Sequence, residues 1–197
     1  GLDSIDVVLF ALPGVGDVGK NAVELLNEAN EARTVARFIH PGLTPLARLD
    51  EDGLLAPPHL AAYRIDTENG PSILTITGRG QPSESFQQHD FTTELLKHLS
   101  EAGMKELIVL AGLMSTPEIK EAFAVATTSS HRVHLEQQGV DVRRDQPSGG
   151  AIGMSALMAS LAPLFGLKSV CAMATTVGAS GDVHASIRLL EFISKGW

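Results

Sequence analysis

The amino-acid sequence predicts a single α/β domain over residues 1–197, built as three layers around a mixed, mostly parallel sheet. Strand and helix patterns alternate along the whole chain, which is typical of a parallel sheet covered by helices on both faces. Two hairpin signals between residues 46 and 77 indicate that some strands run antiparallel. No repeat, linker or low-complexity tract divides the 197 residues, and a chain of this length can bury roughly 70% of its unfolded surface.

In the first half of the chain, short apolar segments are separated by turn residues, so strands dominate over helices. Asp52-Gly53 and Asn69-Gly70-Pro71 are turn signals that would fold their flanking segments into hairpins. The expected elements are, in order, a strand at 7–13, a helix at 18–30, a strand at 34–39, a hairpin joining 46–49 to 54–55, and a second hairpin joining strands 59–65 and 73–77.

In the second half, longer amphipathic or small-residue segments predict helices between apolar strands. Segment 106–111 is apolar at every position after Glu106, which is typical of a central strand covered on both faces. Gly103 and Gly166 should end helices, and Asp182 should cap the last one. The expected elements are helices at 86–101, 132–138, 154–165 and 183–194, with strands at 106–111, 123–127, 140–142 and 169–175.

Gly14, Gly16 and Gly19 follow the first strand with the spacing G-x-G-x-x-G, which also marks dinucleotide-binding corners. Such a site needs an acidic residue about 20 positions further on, at the tip of the second strand, to hold the ribose hydroxyls. Here the strand at 34–39 ends in His40-Pro41-Gly42 instead. We therefore interpret the motif as a strand-to-helix corner that shapes the backbone, and we expect no cofactor.

Composition argues against several classes of function. The chain has 15 Lys and Arg residues against 23 Asp and Glu, a net charge of −8, which disfavours binding to phosphate backbones. No apolar run approaches the ~20 residues of a membrane span. The single cysteine, Cys171, excludes an internal disulfide framework and fits a reducing compartment. We expect a cytoplasmic protein that binds neither nucleic acid nor membrane.

Side chains with catalytic or metal-binding potential are scattered. Ser155 lacks the directly preceding strand and the second glycine of a nucleophile elbow. His131 and His134 lie three residues apart without further ligands, so a solvated helix face is expected there. The acidic tip at 50–53 lacks the downstream glutamate of a calcium loop. Cys171 is expected to be buried and inert. The residues therefore predict no catalytic group and no metal site.

Several loose glycine and proline motifs occur in a fixed order along the chain. They are Pro13-Gly14-x-Gly16-x-Val18-Gly19 with Ala22, Asp52-Gly53 with Pro57-Pro58 and Tyr63, Gly78-x-Gly80-Gln81-Pro82, and the segments 103–112, 150–166 and 175–185. In this order and spacing they resemble the proteasome assembly chaperone family, in its second-chaperone branch, over nearly the whole chain. The chain departs from that pattern at Val183, where proline is usual, and at 192–197, which lack the hydrophobic-tyrosine tail that docks some relatives on proteasome subunits.

The resemblance implies a non-catalytic protein whose sheet is similar to that of purine nucleoside phosphorylases. It also implies a homo-oligomer that binds or assembles protein subunits, with proteasome α-subunits as the partners. The expected interaction surface is apolar and consists of Leu113, Met114, Met154 and Met158.

An alternative hypothesis uses the pocket that a phosphorylase-like fold would place at the strand ends. The protein would then be a nucleotide- or nucleoside-binding protein or an enzyme. The residues expected to line this pocket are Gly14, Gly16, Gly80, Thr176 and Gly178.

Overall fold

The structure, a computed structural model, describes residues 5–50, 52–67 and 70–197. Its strands are β1 Ile5–Ala11, β2 Arg33–Phe38, β3 Arg48–Leu49, β4 Leu55–Ala56, β5 Leu60–Ile65, β6 Ser72–Gly78, β7 Glu106–Met114, β8 Ala122–Ala126 and β9 Lys168–Thr176. Its α-helices are α1 Val18–Ala29, α2 Ser85–Glu101, α3 Ser129–Gln137, α4 Met154–Leu161 and α5 Val183–Gly196. Two short 3₁₀ turns, Val15–Asp17 and Ala162–Phe165, precede α1 and follow α4.

Seven of the strands form one sheet in the order β2-β5-β6-β1-β7-β9-β8. Strand β1 pairs in parallel with β6 and β7, and β7 pairs in parallel with β9. Strands β5 and β8 run antiparallel to their neighbours, and β3 and β4 form a separate two-stranded hairpin. The predicted α/β fold class with a mixed, mostly parallel sheet is confirmed, whereas the likeness to purine nucleoside phosphorylases stays a prediction.

Apolar side chains cover both faces of the sheet, because successive residues of a strand point to opposite faces. In β1, Phe10 belongs to the cluster packed by α2 and α4, together with Leu95. Its neighbour Leu9 belongs to the cluster packed by α1, α3 and α5, together with Val23 and Leu189. The sheet is thus the middle of three layers.

The structure differs from the predicted elements in three places, and the first two differences have local causes. The expected strand at 140–142 is a single bridge between Val142 and Ala124, because the amide of Val140 instead closes the end of α3 on the carbonyl of Leu135. The expected helix at 154–165 tightens into a 3₁₀ turn in the segment that contains Pro163, which lacks an N–H to donate. Strand β7 continues three residues beyond 111. The turn residue Asn69 lies outside the described residues.

The predicted ends of two helices are confirmed. Gly103 after α2 and Gly166 after α4 adopt left-handed φ values of 83° and 80°, which favour glycine. No helix in the described part of the chain combines the length and the apolarity that crossing a bilayer requires.

Candidate functional site

The parallel pairing of β6, β1, β7 and β9 brings the carboxyl ends of these strands to one edge of the sheet. Open α/β sheets keep their ligand sites at this edge, in the loops that lead from strand to helix. The segments 13–16, 78–82, 111–115 and 176–181 follow or end the parallel strands β1, β6, β7 and β9 and lie along this edge. The carboxyl edge is therefore where a ligand site is expected.

The glycine motif after β1 forms a tightly packed corner. Gly16 has a left-handed φ of 63°. A Cβ atom added at Gly19 would lie 2.1 Å from the carbonyl oxygen of Leu110 in β7, and one added at Gly112 would lie 2.2 Å from the carbonyl oxygen of Val15. Both distances are far below van der Waals contact. The glycines let α1 lie directly against β7, which supports the interpretation of the motif as a strand-to-helix corner.

Asp182 joins the start of α5 to this corner. Its Oδ1 accepts a hydrogen bond from the amide of Ala185 at 3.0 Å, so the predicted cap is confirmed. Its Oδ2 accepts from the hydroxyl of Thr176 at 2.5 Å, and its own amide donates to the carbonyl of Gly16 at 3.1 Å. The hydroxyl of Thr176 lowers the pKa of Asp182 below its ordinary value, and the amide of Ala185 adds to this against the opposing effect of burial.

The glycine and threonine residues expected to line a strand-end pocket do not surround one cavity. Gly16 lies against Thr176, and Gly178 donates its amide to the Thr176 hydroxyl at 3.1 Å and lies against Met114. These groups occupy the corner themselves. Gly14 is exposed, and Gly80 lies on a separate cleft of about 1070 Å³ between α1 and the β3-β4 hairpin. The predicted pocket is therefore split between two places.

The predicted interaction surface is also divided. Met114 is 61% exposed at the carboxyl edge and Leu113 is half-buried. Met154 and Met158 are 0% exposed, because α4 turns them into the core between α2 and the sheet. The side-chain oxygen of Gln81 accepts from the amide of Met154 at 2.7 Å and fixes the start of that helix. The prediction that these two methionines form part of an exposed surface is wrong.

Other apolar side chains, which the sequence analysis did not single out, surround Met114 at the same edge. The amide of Ser115 donates to the carbonyl of Thr176 at 2.8 Å and joins the loops after β7 and β9, while the Thr175 hydroxyl donates to the carbonyl of Ile119 at 2.7 Å. Four exposed apolar residues at this edge are named here the carboxyl-edge patch: Val15, Met114, Ile119 and Val177. Two further exposed apolar residues, Phe86 and Ile152, begin or precede the helices α2 and α4 at this edge.

A second polar cluster lies at the opposite, amino edge of the sheet. His131 is buried, with its Nε2 3.0 Å from Oε1 of Glu106 and its Nδ1 3.3 Å from the carbonyl oxygen of Ser169. The indole of Trp197 donates to the same carboxylate at 2.9 Å. The prediction that His131 lies on a solvated helix face is thus wrong, whereas His134 is exposed. The described residues contain no group of three or more His, Cys, Asp or Glu that could hold a metal ion.

Cys171 lies in β9, where it packs against the core. Burial raises the pKa of its thiol to about 12, so the thiol stays protonated at neutral pH.

Replacing Asp182 with alanine is expected to lower the free energy of unfolding by about 1–2 kcal/mol, the usual effect of losing an N-cap. An asparagine at this position would keep a side-chain oxygen for the amide of Ala185, so Asp182→Asn should cost less than about 0.5 kcal/mol. Urea unfolding followed by circular dichroism measures both variants. Equal losses in the two variants would show that the charge, rather than the cap, stabilises this junction.

Comparisons with known proteins agree on one family and one fold. The sequence profile of the PAC2 family matches residues 8–196. The chain is similar to the structure of Pyrococcus furiosus PbaB, described as an archaeal proteasome activator, with 23% identity and a TM-score of 0.83 over 98% of this chain and 84% of that one. It is also similar to Pyrococcus furiosus PbaA, an archaeal homolog of proteasome-assembly chaperone, with 22% identity and a TM-score of 0.79 over 96% of this chain and 80% of that one.

A third similar structure is the proteasome-assembly chaperone homologue of Mycobacterium tuberculosis. It shares 19% identity with a TM-score of 0.74, and the match covers 95% of this chain and 84% of that one. No curated protein sequence matches the chain. At these identities the likeness to the three structures establishes the fold.

Proposed function

Because the chain belongs to the PAC2 family, we propose that it acts by binding other protein chains, as a homo-oligomer that takes part in the assembly or regulation of proteasome α-subunits. The structures named above carry proteasome activation or assembly in their own descriptions, and they support this assignment through a shared fold. The proposal is of a non-catalytic role.

The observation that carries the proposal is the carboxyl-edge patch. Exposed apolar side chains are ordinary when they are scattered, but apolar side chains grouped on one surface mark protein contacts. Met114 ends β7 and Val177 follows the neighbouring strand β9, and Ile152, 98% exposed, lies at the same edge. This edge carries ligands in many α/β enzymes, whereas here the loops fill their own corner with hydrogen bonds and present apolar side chains outward.

We expect a double variant, Met114→Asp with Val177→Asp, to weaken self-association at least tenfold, because each carboxylate would have to lose water on entering an apolar contact. Light scattering coupled to size-exclusion chromatography, over a dilution series, measures the mass of both proteins. Leu164→Asp is the matched control, since Leu164 is an exposed leucine near the start of β9, at the other edge of the sheet. A wild-type chain that is monomeric at every concentration would contradict the homo-oligomer.

Binding to proteasome α-subunits is tested separately, by capture of purified α-subunits on the immobilised chain. Retention by the wild type and by Leu164→Asp, with loss in the double variant, supports the role and places the contact at the carboxyl-edge patch. Absence of retention by the wild type would contradict the proteasome role. Self-association would still be decided by the light-scattering measurement.

A further inference from the structure

In the half of the sheet formed by β2, β5 and β6, helix α2 packs on one face, and helix α1 covers the part of the other face that lies next to β6. In β2, β5 and β6, the residues Phe38, Leu60 and Ile76 point to the face packed by α2. The strand register places Arg37, Ala61 and Thr77 in one cross-strand row, and Thr34, Tyr63 and Thr75 in the next. The second face is therefore largely polar where the first is apolar, and it forms the floor of the cleft on which Gly80 lies.

The cleft has two walls besides this floor. Helix α1 contributes Lys20 and Glu24 on one side, and residues 43–58, here called the strap, contribute the β3-β4 hairpin on the other. Within the described residues of the strap, 43–50 and 52–58, Leu46 and Leu49 bring apolar surface, since they line the cleft and are exposed. The volume of about 1070 Å³ is at the upper end of the range of small-molecule sites. A sheet floor between two walls suits a small ligand better than the flat surface of another domain.

Thr77 lies in the floor with its hydroxyl unused. Thr77 is 6% exposed, and its Oγ1 atom is buried without a hydrogen-bond partner among the described residues. Thr75, two residues earlier on the same face, donates its hydroxyl to Oδ1 of Asn27 in α1 at 2.6 Å. Buried hydroxyl groups are nearly always hydrogen-bonded, so an unpartnered one that lines a cleft indicates a partner that enters from the cleft.

The charges around the cleft favour an anion. Among its described lining residues, four side chains are cationic and three are acidic, in a chain of net charge −8. Lys20 is paired with Glu24 within α1, and Arg37 with Asp50 at 3.6 Å. Arg48 and Arg79 form no ion pair within the described residues. Two guanidinium groups thus remain available at the rim, and such groups bind phosphate and carboxylate well.

We propose that this cleft binds a small organic anion that has a flat apolar part and a phosphate or carboxylate group. The guanidinium groups of Arg48 and Arg79 bind the anionic group. The flat part lies against the leucines of the strap, and the hydroxyl of Thr77 hydrogen-bonds a polar atom that reaches the floor. This binding is independent of the protein-binding role proposed above.

Isothermal titration calorimetry with two organic anions and their uncharged counterparts tests the proposal. The probes are adenosine 5′-monophosphate against adenosine, and indole-3-acetate against indole. We expect at least one of the anions to bind, and to bind at least tenfold more tightly than its uncharged counterpart. The two titrations, with adenosine 5′-monophosphate and with indole-3-acetate, show whether the site prefers a phosphate or a carboxylate group. Failure of both anions to bind at millimolar concentration would overturn the proposal.

Matched variants locate the binding. Arg79→Gln should weaken binding of the anion about tenfold, whereas Lys120→Gln removes an equal charge from an exposed residue outside the cleft and should leave it unchanged. Thr77→Val should weaken binding several-fold. Thr92→Val is its control, because Thr92 also carries a buried unpartnered hydroxyl but lies in α2 on the other face of the sheet. Binding that survives both Arg79→Gln and Thr77→Val unchanged would overturn the assignment to this cleft.

Discussion

Gly19→Ala is expected to destabilise the protein by at least about 3 kcal/mol, which is a large share of the stability of an ordinary domain. The added Cβ would lie 2.1 Å from the carbonyl oxygen and 2.6 Å from the carbonyl carbon of Leu110. These are backbone atoms of β7, which is held between β1 and β9, so the strand cannot yield as a flexible side chain would. Denaturation in urea, followed by circular dichroism, measures the loss.

Gly14→Ala is the matched control within the same G-x-G-x-x-G motif. Gly14 has an extended backbone with φ of −164°, and its added Cβ would meet only the carbonyl oxygen of Leu12, at 3.9 Å. The expected change is within about 0.5 kcal/mol. A Gly19→Ala protein as stable as the wild type would contradict the close approach of α1 to β7. The pair of variants therefore separates the glycine that packing requires from the one that it does not.

The same motif shows how far sequence reasoning reaches in this chain. The absence of an acid at the tip of the second strand was enough to interpret the motif as a corner. The sequence alone could not reveal that Gly19 lies against β7, or that Gly112 lies against the 3₁₀ turn before α1. Those contacts depend on which strands are neighbours in the sheet. Hydrophobic periodicity locates elements, but the order β2-β5-β6-β1-β7-β9-β8 is set by the tertiary packing of helices on two faces.

The candidate surface was harder to predict than the fold. Methionine and small residues in α4 are equally typical of an interface helix and a core helix, and the spacing of four residues between Met154 and Met158 places both on one face of the helix without showing which partner that face has. Val15 lies in a three-residue 3₁₀ turn and Val177 in a loop, and both are too short for periodicity to carry information. His131 lies four residues before the buried Leu135, and this spacing could have placed it on the inner face of α3.

Glu106→Gln is expected to lower the free energy of unfolding by about 2 kcal/mol, because it replaces the charged acceptor of the hydrogen bonds from His131 and Trp197 with a neutral amide. The ring of His131 lies between two oxygen atoms, with its Nε2 3.0 Å from Oε1 of Glu106 and its Nδ1 3.3 Å from the carbonyl oxygen of Ser169. The glutamate also accepts the indole N–H of Trp197, the single tryptophan of the chain, whose fluorescence follows unfolding. Asp6→Asn is the control, since Asp6 forms an exposed pair with Lys105 and should cost less than about 1 kcal/mol.

The pH dependence of this loss identifies the charge as its cause. Burial raises the pKa of Glu106, but the hydrogen bonds from His131 and Trp197 and the positive charges of His131 and Lys168 outweigh it, so the pKa is lowered overall. A carboxyl group with a lowered pKa stabilises the fold fully above its unfolded pKa of about 4.3, and this stabilisation disappears as the pH falls through the folded value. The stability difference between the wild type and Glu106→Gln should therefore shrink as the pH falls below about pH 4. A difference that stays the same down to acid unfolding would mean that the shape of the glutamate side chain, rather than its charge, stabilises the amino edge of the sheet.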